Sequence, residues 1–128
     1  MLNQSGITKT VGTAPVQILF NVQNQMSVGV KIAKNFAGAV TENGRKIVKA
    51  GTPLTGDLTA RDTAFTAAGA SDAVGILLHD VDVTDTDANC SLLIWGFVNL
   101  NRIDSTTAAK INAGVKTALA GKVWFLKD

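Results

Sequence analysis

The run "SLLIWGFVNL", residues 91–100, is apolar at odd and even positions alike. A half-buried strand alternates, so a strand apolar on both faces needs a layer of structure on each side. That requirement limits the chain to a layered fold with this segment in its middle. Gly96 within the run marks a bulge or a close backbone approach. Three other stretches alternate at every second residue and read as half-buried strands: Val16, Ile18, Phe20 and Val22 in "APVQILFNVQ", Val28, Val30 and Ile32 in "SVGVKIAK", and Val74, Ile76 and Leu78 in "AVGILLHDVDV". Pro15 has no N–H for a ladder and suits a first or edge position.

Between these strands lie turn signals. Asn43-Gly44 accepts positive φ cheaply and predicts a hairpin or loop, with Ile47 and Val48 opening a short strand that "AGTPLTGD" ends. The small, polar stretch "LTARDTAFTAAGASDA" reads as an ordered surface loop anchored by Leu58 and Phe65. In "DSTTAAKINAGVKTALAGK" the spacing predicts one helix: Asp104 or Ser105 caps its start, Ala108, Ile111, Val115, Ala118 and Leu119 share a face, and Gly121 takes the left-handed position at its end. Gly114 inside it costs about 1 kcal/mol relative to alanine. "KVWFLKD" closes the chain as a strand. The expected fold class is α+β: mainly antiparallel β, a small sandwich or barrel, with one C-terminal helix covering the sheet. Residues 1–12, polar apart from Leu2, Ile7 and Val11, have no sustained period and read as an extended N-terminal arm, leaving residues 13–128 as a single β-rich domain.

With 128 residues the chain suffices for one domain, which buries about two-thirds of the surface exposed when unfolded and needs neither disulfide nor metal to fold. Cys90 is the only cysteine, which excludes an internal bridge and fits assembly in a reducing cytosol. The start "MLNQSGITKT" lacks a basic flank followed by an apolar core, and every uncharged apolar run falls well short of the ~20 residues needed to span a bilayer, so neither a secretory signal nor a membrane partner is expected. The net charge of +2 is unevenly distributed: residues 1–50 carry +5, residues 51–100 carry −6 and residues 101–128 carry +3. This is a dipolar pattern, read first as simple solvated faces and second as suited to ordered contact with copies of itself or another protein, and it lacks the basic stripe of nucleic-acid binders. Seven aromatics without a tyrosine offer few stacking platforms for single strands.

Residues 73–100 hold the only histidine, the only cysteine and four aspartates. His79 beside Asp80 invites a catalytic reading, but no G-x-S-x-G elbow supplies a nucleophile. Zinc needs three or four ligands, and neither C-x-x-C nor H-x-x-x-H spacing occurs. Asp85, Asp87 and Asn89 match positions 1, 3 and 5 of a calcium loop, yet Cys90 and Gly96 stand where an EF-hand needs glycine and glutamate. The simpler reading turns Asp80 and Asp82 to solvent and lets "TDTDAN" form side-chain-stabilised turns. Asp57 and Asp62 flank Arg61, where mutual charge neutralisation is the expected role. No phosphate-binding glycine pattern appears. Trp95 and Trp124 sit in apolar strands as core or subunit-contact anchors, with core the favoured reading. No catalytic residue, metal site, cofactor or small-molecule substrate is therefore assigned.

The order "KAGTPLTGDLTARDTAFT", then "AVGILLHDVDVTDTDANCSLLIWGFVNLNRI", then "INAGVKTALAGKVWFLKD" resembles the head decoration proteins of tailed bacteriophages, in particular head fibre proteins. The likeness covers residues 45–128 and consists of an A-G-T-P-L turn, a G-[IV]-L-L-x-D-V-D strand followed by an apolar strand, and a terminal helix backed by a short strand. It implies a non-enzymatic virion protein made in the host bacterial cytoplasm. Such a protein binds the major capsid protein on the capsid exterior as a homotrimer and stabilises the shell. It also implies an arm that orders against the shell, with Leu2, Asn3, Ile7 and Val11 as its contacts. Where the tryptophans are not core, Trp95, Phe97 and Trp124 are the candidate subunit contacts. No extended repeat is present, which favours a compact knob over a projecting rod. The competing reading is a stand-alone carbohydrate- or calcium-binding β module built on the acidic loop beside a tryptophan; a small hydrolase using His79 is a third.

Overall fold

A computed structural model describes residues 17–19, 25–34, 36–69 and 71–127. The arm residues Leu2, Asn3, Ile7 and Val11 lie outside them, as do Val16, Phe20 and Val22 of the first expected strand; of that segment, Leu19 makes an isolated antiparallel bridge to Val98. Among the described residues nine strands follow: β1 (Met26–Ile32), β2 (Val40–Glu42), β3 (Arg45–Val48), β4 (Pro53–Thr55), β5 (Thr66–Ala67), β6 (Gly75–Leu77), β7 (Val81–Asp82), β8 (Ala88–Asn99) and β9 (Val123–Leu126). Two short helices, α1 (Ser105–Ala108) and α2 (Ala113–Ala118), precede β9. The fold is mainly antiparallel β, as the alternation patterns predict.

The doubly apolar run is the axis of the molecule. It forms most of β8, which pairs with β1, β6 and β9 in a six-stranded sheet ordered β1-β8-β6-β4-β5, while β2-β3-β7 forms a second sheet. Phe65 donates its N–H to the Lys31 carbonyl at 2.8 Å, so the two ends of the large sheet meet at one point. The sheet thereby curls around an inner cluster of Val30, Ile32, Leu54, Phe65, Leu77 and Leu92, which the small sheet covers with Val48 and Val83. On the outer face, Ile76, Leu93 and Val98 pack with Ile111, Val115 and Leu119 of the helical segment. Each face of β8 thus has its own core, which is why the run has no polar face.

Several sequence expectations change. β6 does not alternate: Ile76 and Leu77 are both fully buried, because the strand lies between the same two cores as β8. The strand of Ile47 and Val48 ends at Val48, just before "AGTPLTGD", as expected, but the same stretch also contributes a strand of its own, β4, between β6 and β5. Proline is tolerated because it occupies the first position of the strand, where its carbonyl still accepts from the Ala68 N–H at 3.0 Å. In the following loop Phe65 is a buried anchor, whereas Leu58 is exposed. The single helix expected over residues 105–121 is two. Asp104 accepts from the Thr107 N–H and Asn112 from the Val115 N–H, so each helix has its own cap, and asparagine in mid-segment competes for the backbone. The buried face is nonetheless the expected one, with Ile111, Val115 and Leu119 inside and Gly121 at φ +77° past the end. Asn43 and Gly44 take φ of +52° and +77°, the paired positive values of a tight hairpin turn, and join β2 to β3.

Candidate functional site

Residues Asp80 to Asp87 staple the bend before β8 to the β2–β3 hairpin and the residues around it. Arg45 of β3 donates from Nε to Asp82 at 2.9 Å and from Nη2 to Asp85 at 3.1 Å. Lys49 bridges Glu42 at 3.2 Å and Asp80 at 3.1 Å, and the other oxygen of Asp80 accepts the Ala50 N–H at 2.8 Å. Asp82 also accepts from the Thr84 N–H, and Asp87 from the Lys34 N–H. Asp80 and Asp82 are exposed, as expected, but they are not merely hydrated: the lysine and arginine of the hairpin hold them, and a side-chain turn runs from Asp82 to Thr84, at the start of the 84–89 stretch where such turns are expected. Hydrogen bonds from Arg45 and Thr84 lower the Asp82 carboxyl to about 2. The Arg45 guanidinium is raised in turn by its bonds to Asp82 and Asp85. At Lys49 burial pulls the ammonium down, and its bonds to Asp80 and Glu42 outweigh it.

The calcium-loop candidates are dispersed by this staple: Asp85 faces Arg45, Asp87 faces the Lys34 amide, and Asn89 pairs with Lys31 in the β8–β1 ladder. Among the described residues no three His, Cys, Asp or Glu side chains gather at one point. His79 is exposed at the bend before β7, and Cys90 lies half-buried against the inner cluster, its thiol pushed up to about 11 by burial. The expected neutralisation of Arg61 by Asp57 and Asp62 does not occur: Arg61 donates to the Gly29 carbonyl, while Asp57 accepts from Thr59, whose hydrogen bonds lower its carboxyl.

A different surface stands out at the other end of β8. The β1–β8 register skips one residue, so that Ser27 faces Leu93 while Met26 faces Trp95, leaving Ile94 as the bulge. A bulge reverses which residues point inward. Leu93 lies in the helix-side core, and so does Val98, although strict alternation would put them on opposite faces. The slip turns Trp95 and Phe97 away from that core, and Gly96 (φ +155°) takes up the distortion. β9 runs parallel to β8 with Phe97 opposite Trp124, and the two rings stack at 5.2 Å between centroids and 23° between planes. Trp95 adds edge contacts at 5.9 Å to both Phe97 and Trp124. Trp95 is 40 % exposed and Trp124 39 %, so the favoured core reading of the tryptophans is corrected to a surface one. The signals available in the sequence were Gly96 and the crowding of three aromatics. The bulge itself depends on pairing with β1 and has no local code.

Exposed Met26 and Leu126 extend this apolar surface, for Met26 is opposite Trp95 and Leu126 follows Trp124 on the same face of β9. The acidic bend lies at the far end of β8, roughly 20 Å away at the usual rise per residue. The composite site of the competing β-module reading, acidic loop beside tryptophan, is therefore not assembled. A cavity of about 490 Å³ on another side is lined by small residues with Lys110 and Asn112, and Lys110 donates to the Gly38 carbonyl there. None of its lining residues carries a carboxylate, imidazole or thiol. No helix among the described residues is long and apolar enough to cross a membrane. No protein-family model matches the chain, and no curated protein matches it.

Proposed function

We propose that this chain is a structural adhesive of a phage particle, a decoration protein that binds the major capsid protein on the outside of the head and stabilises the shell without chemistry. The observation that carries this reading is the Trp95–Phe97–Trp124 cluster, three interlocked rings held on paired strands and open to solvent. Apolar aromatic surface on a rigid scaffold contributes binding energy at low entropic cost, and its exposure in a single subunit costs solubility unless something covers it. The order of motifs over residues 45–128, which resembles head decoration proteins, supports the same reading. So does the acidic bend, whose carboxylates serve to lock the fold.

In this reading the aromatic cluster joins subunits into a homotrimer, and the arm of residues 1–12 engages the shell. Three weak contacts per trimer then act as one strong one, raising avidity by about 10² to 10⁴ over a single site. Because occupied sites stabilise the bound state of the shell, adhesion alone protects it. The test is to mix the purified protein with mature empty capsids and image the particles. The reading expects ordered density on the capsid exterior, lost when residues 1–12 are deleted. Capsids that stay bare under saturating protein would overturn it.

A further inference from the structure

β9 pairs with β8 on one side, and among the described residues nothing pairs with its other side. The Gly96 N–H donates to the Lys122 carbonyl at 3.0 Å, so the backbone of Lys122 points toward β8. Alternation along a strand then turns Trp124 and Leu126 toward β8 as well, and turns the N–H and C=O of Phe125 to the open edge. An open edge of this kind is a template for strand addition.

The two faces of this edge differ chemically. On the helix side, a cavity of about 420 Å³ with Leu100, Ile103 and Ile111 in its walls also has Lys116 and Lys127 on its lining. Neither lysine is ion-paired among the described residues, where the four salt bridges all belong to Arg45 and Lys49. On the opposite face Trp124 and Leu126 are exposed and apolar. A strand laid along the edge presents successive side chains to these two faces in turn.

We propose that the open edge of β9 accepts an extended peptide segment of a partner protein whose side chains alternate between acidic and apolar, the acids reaching Lys116 and Lys127 and the apolar residues covering Trp124 and Leu126. A second copy of the chain fits less well, because its own β9 is flanked by Lys122 and Lys127 and would set like charges against each other. Lysines at an edge also deter unwanted pairing, so the same residues that protect the free protein select the charge of its partner. The inference competes with the subunit contact proposed above for Trp124, since one ring cannot be covered by both, and its test needs no particle.

The probe is a blocked pentapeptide of alternating valine and aspartate that begins and ends with valine, titrated into the full chain while hydrogen exchange at the Phe125 N–H is followed. The expected result is exchange slowed at least about tenfold at saturation, with no such effect from the valine–lysine counterpart. Lys116→Glu with Lys127→Glu, both on the surface, should weaken the aspartate peptide about tenfold and transfer preference to the lysine peptide. Three results would overturn the proposal: a Phe125 N–H already protected in the dilute free chain, which means the edge is occupied by the chain itself or by a second copy; no protection at millimolar peptide; or equal binding of both peptides.

Discussion

Phe97 and Trp124 stand directly opposite each other on the parallel strands β8 and β9, rings stacked at 5.2 Å, and this contact ties the end of the chain to its central strand. A stacked pair with one face in water contributes both to stability and to surface adhesion, and the two can be measured apart.

Because Trp95 and Trp124 are about two-fifths exposed, Trp95→Ala should cost about 1–2 kcal/mol, well below the ~3–5 kcal/mol of a fully buried ring. Urea unfolding gives the stability, and sedimentation checks self-association in parallel. A small stability loss with weakened association supports the surface role, whereas a loss of core size would return Trp95 to the interior.

Gly75 is opposite Leu54 in the β4–β6 ladder, and a Cβ built on it would lie 2.6 Å from both Leu92 Cγ and the Leu93 carbonyl. The carbonyl belongs to the central strand and cannot yield. Gly75→Ala should therefore destabilise by about 2–3 kcal/mol through overpacking, read as a fall in the urea midpoint with unchanged slope. An unaffected midpoint would show that β8 is more pliant than its two cores suggest.

The staple makes an acid-side prediction. The Asp82 carboxyl is held at about 2, below its unfolded value near 4. A lowered carboxylate adds stability above the unfolded value, and that increment disappears as pH falls through the folded one. Between pH 5 and pH 2 the native protein should lose stability more steeply than Arg45→Gln, in which the chief cause of the lowering is gone. Chemical unfolding at four or five pH values compares the slopes, and parallel slopes would mean that the ion pair is not formed in solution.

The Asn112 side chain caps α2 through the Val115 N–H at 3.0 Å. Removing a cap of this kind costs about 1 kcal/mol, so Asn112→Ala should lower the melting temperature by a few degrees. Circular dichroism of the same variant provides a second readout: gained helicity would mean that residues 105–118 fuse into the single helix their spacing suggests.

Burial holds the Cys90 thiol at about 11, which leaves about one molecule in a thousand ionised at pH 8. Alkylation should be slow in the native protein and should reach the rate of a free thiol only in denaturant. Rapid native labelling would contradict the packing of β8 against β1.

The sequence by itself determined the fold class, the identity of the central strand, the β2–β3 turn and the buried face of the helical segment, since hydrophobic period and turn chemistry are local properties. Tertiary structure alone decided three things: that "TPLT" enters the sheet, that the aspartates around Asp82 are stapled by Arg45 and Lys49, and that Trp95 faces outward. Each depends on partners distant along the chain. The last turns on a single slipped residue between β1 and β8, and such a slip reverses every side chain beyond it without changing a letter of the sequence.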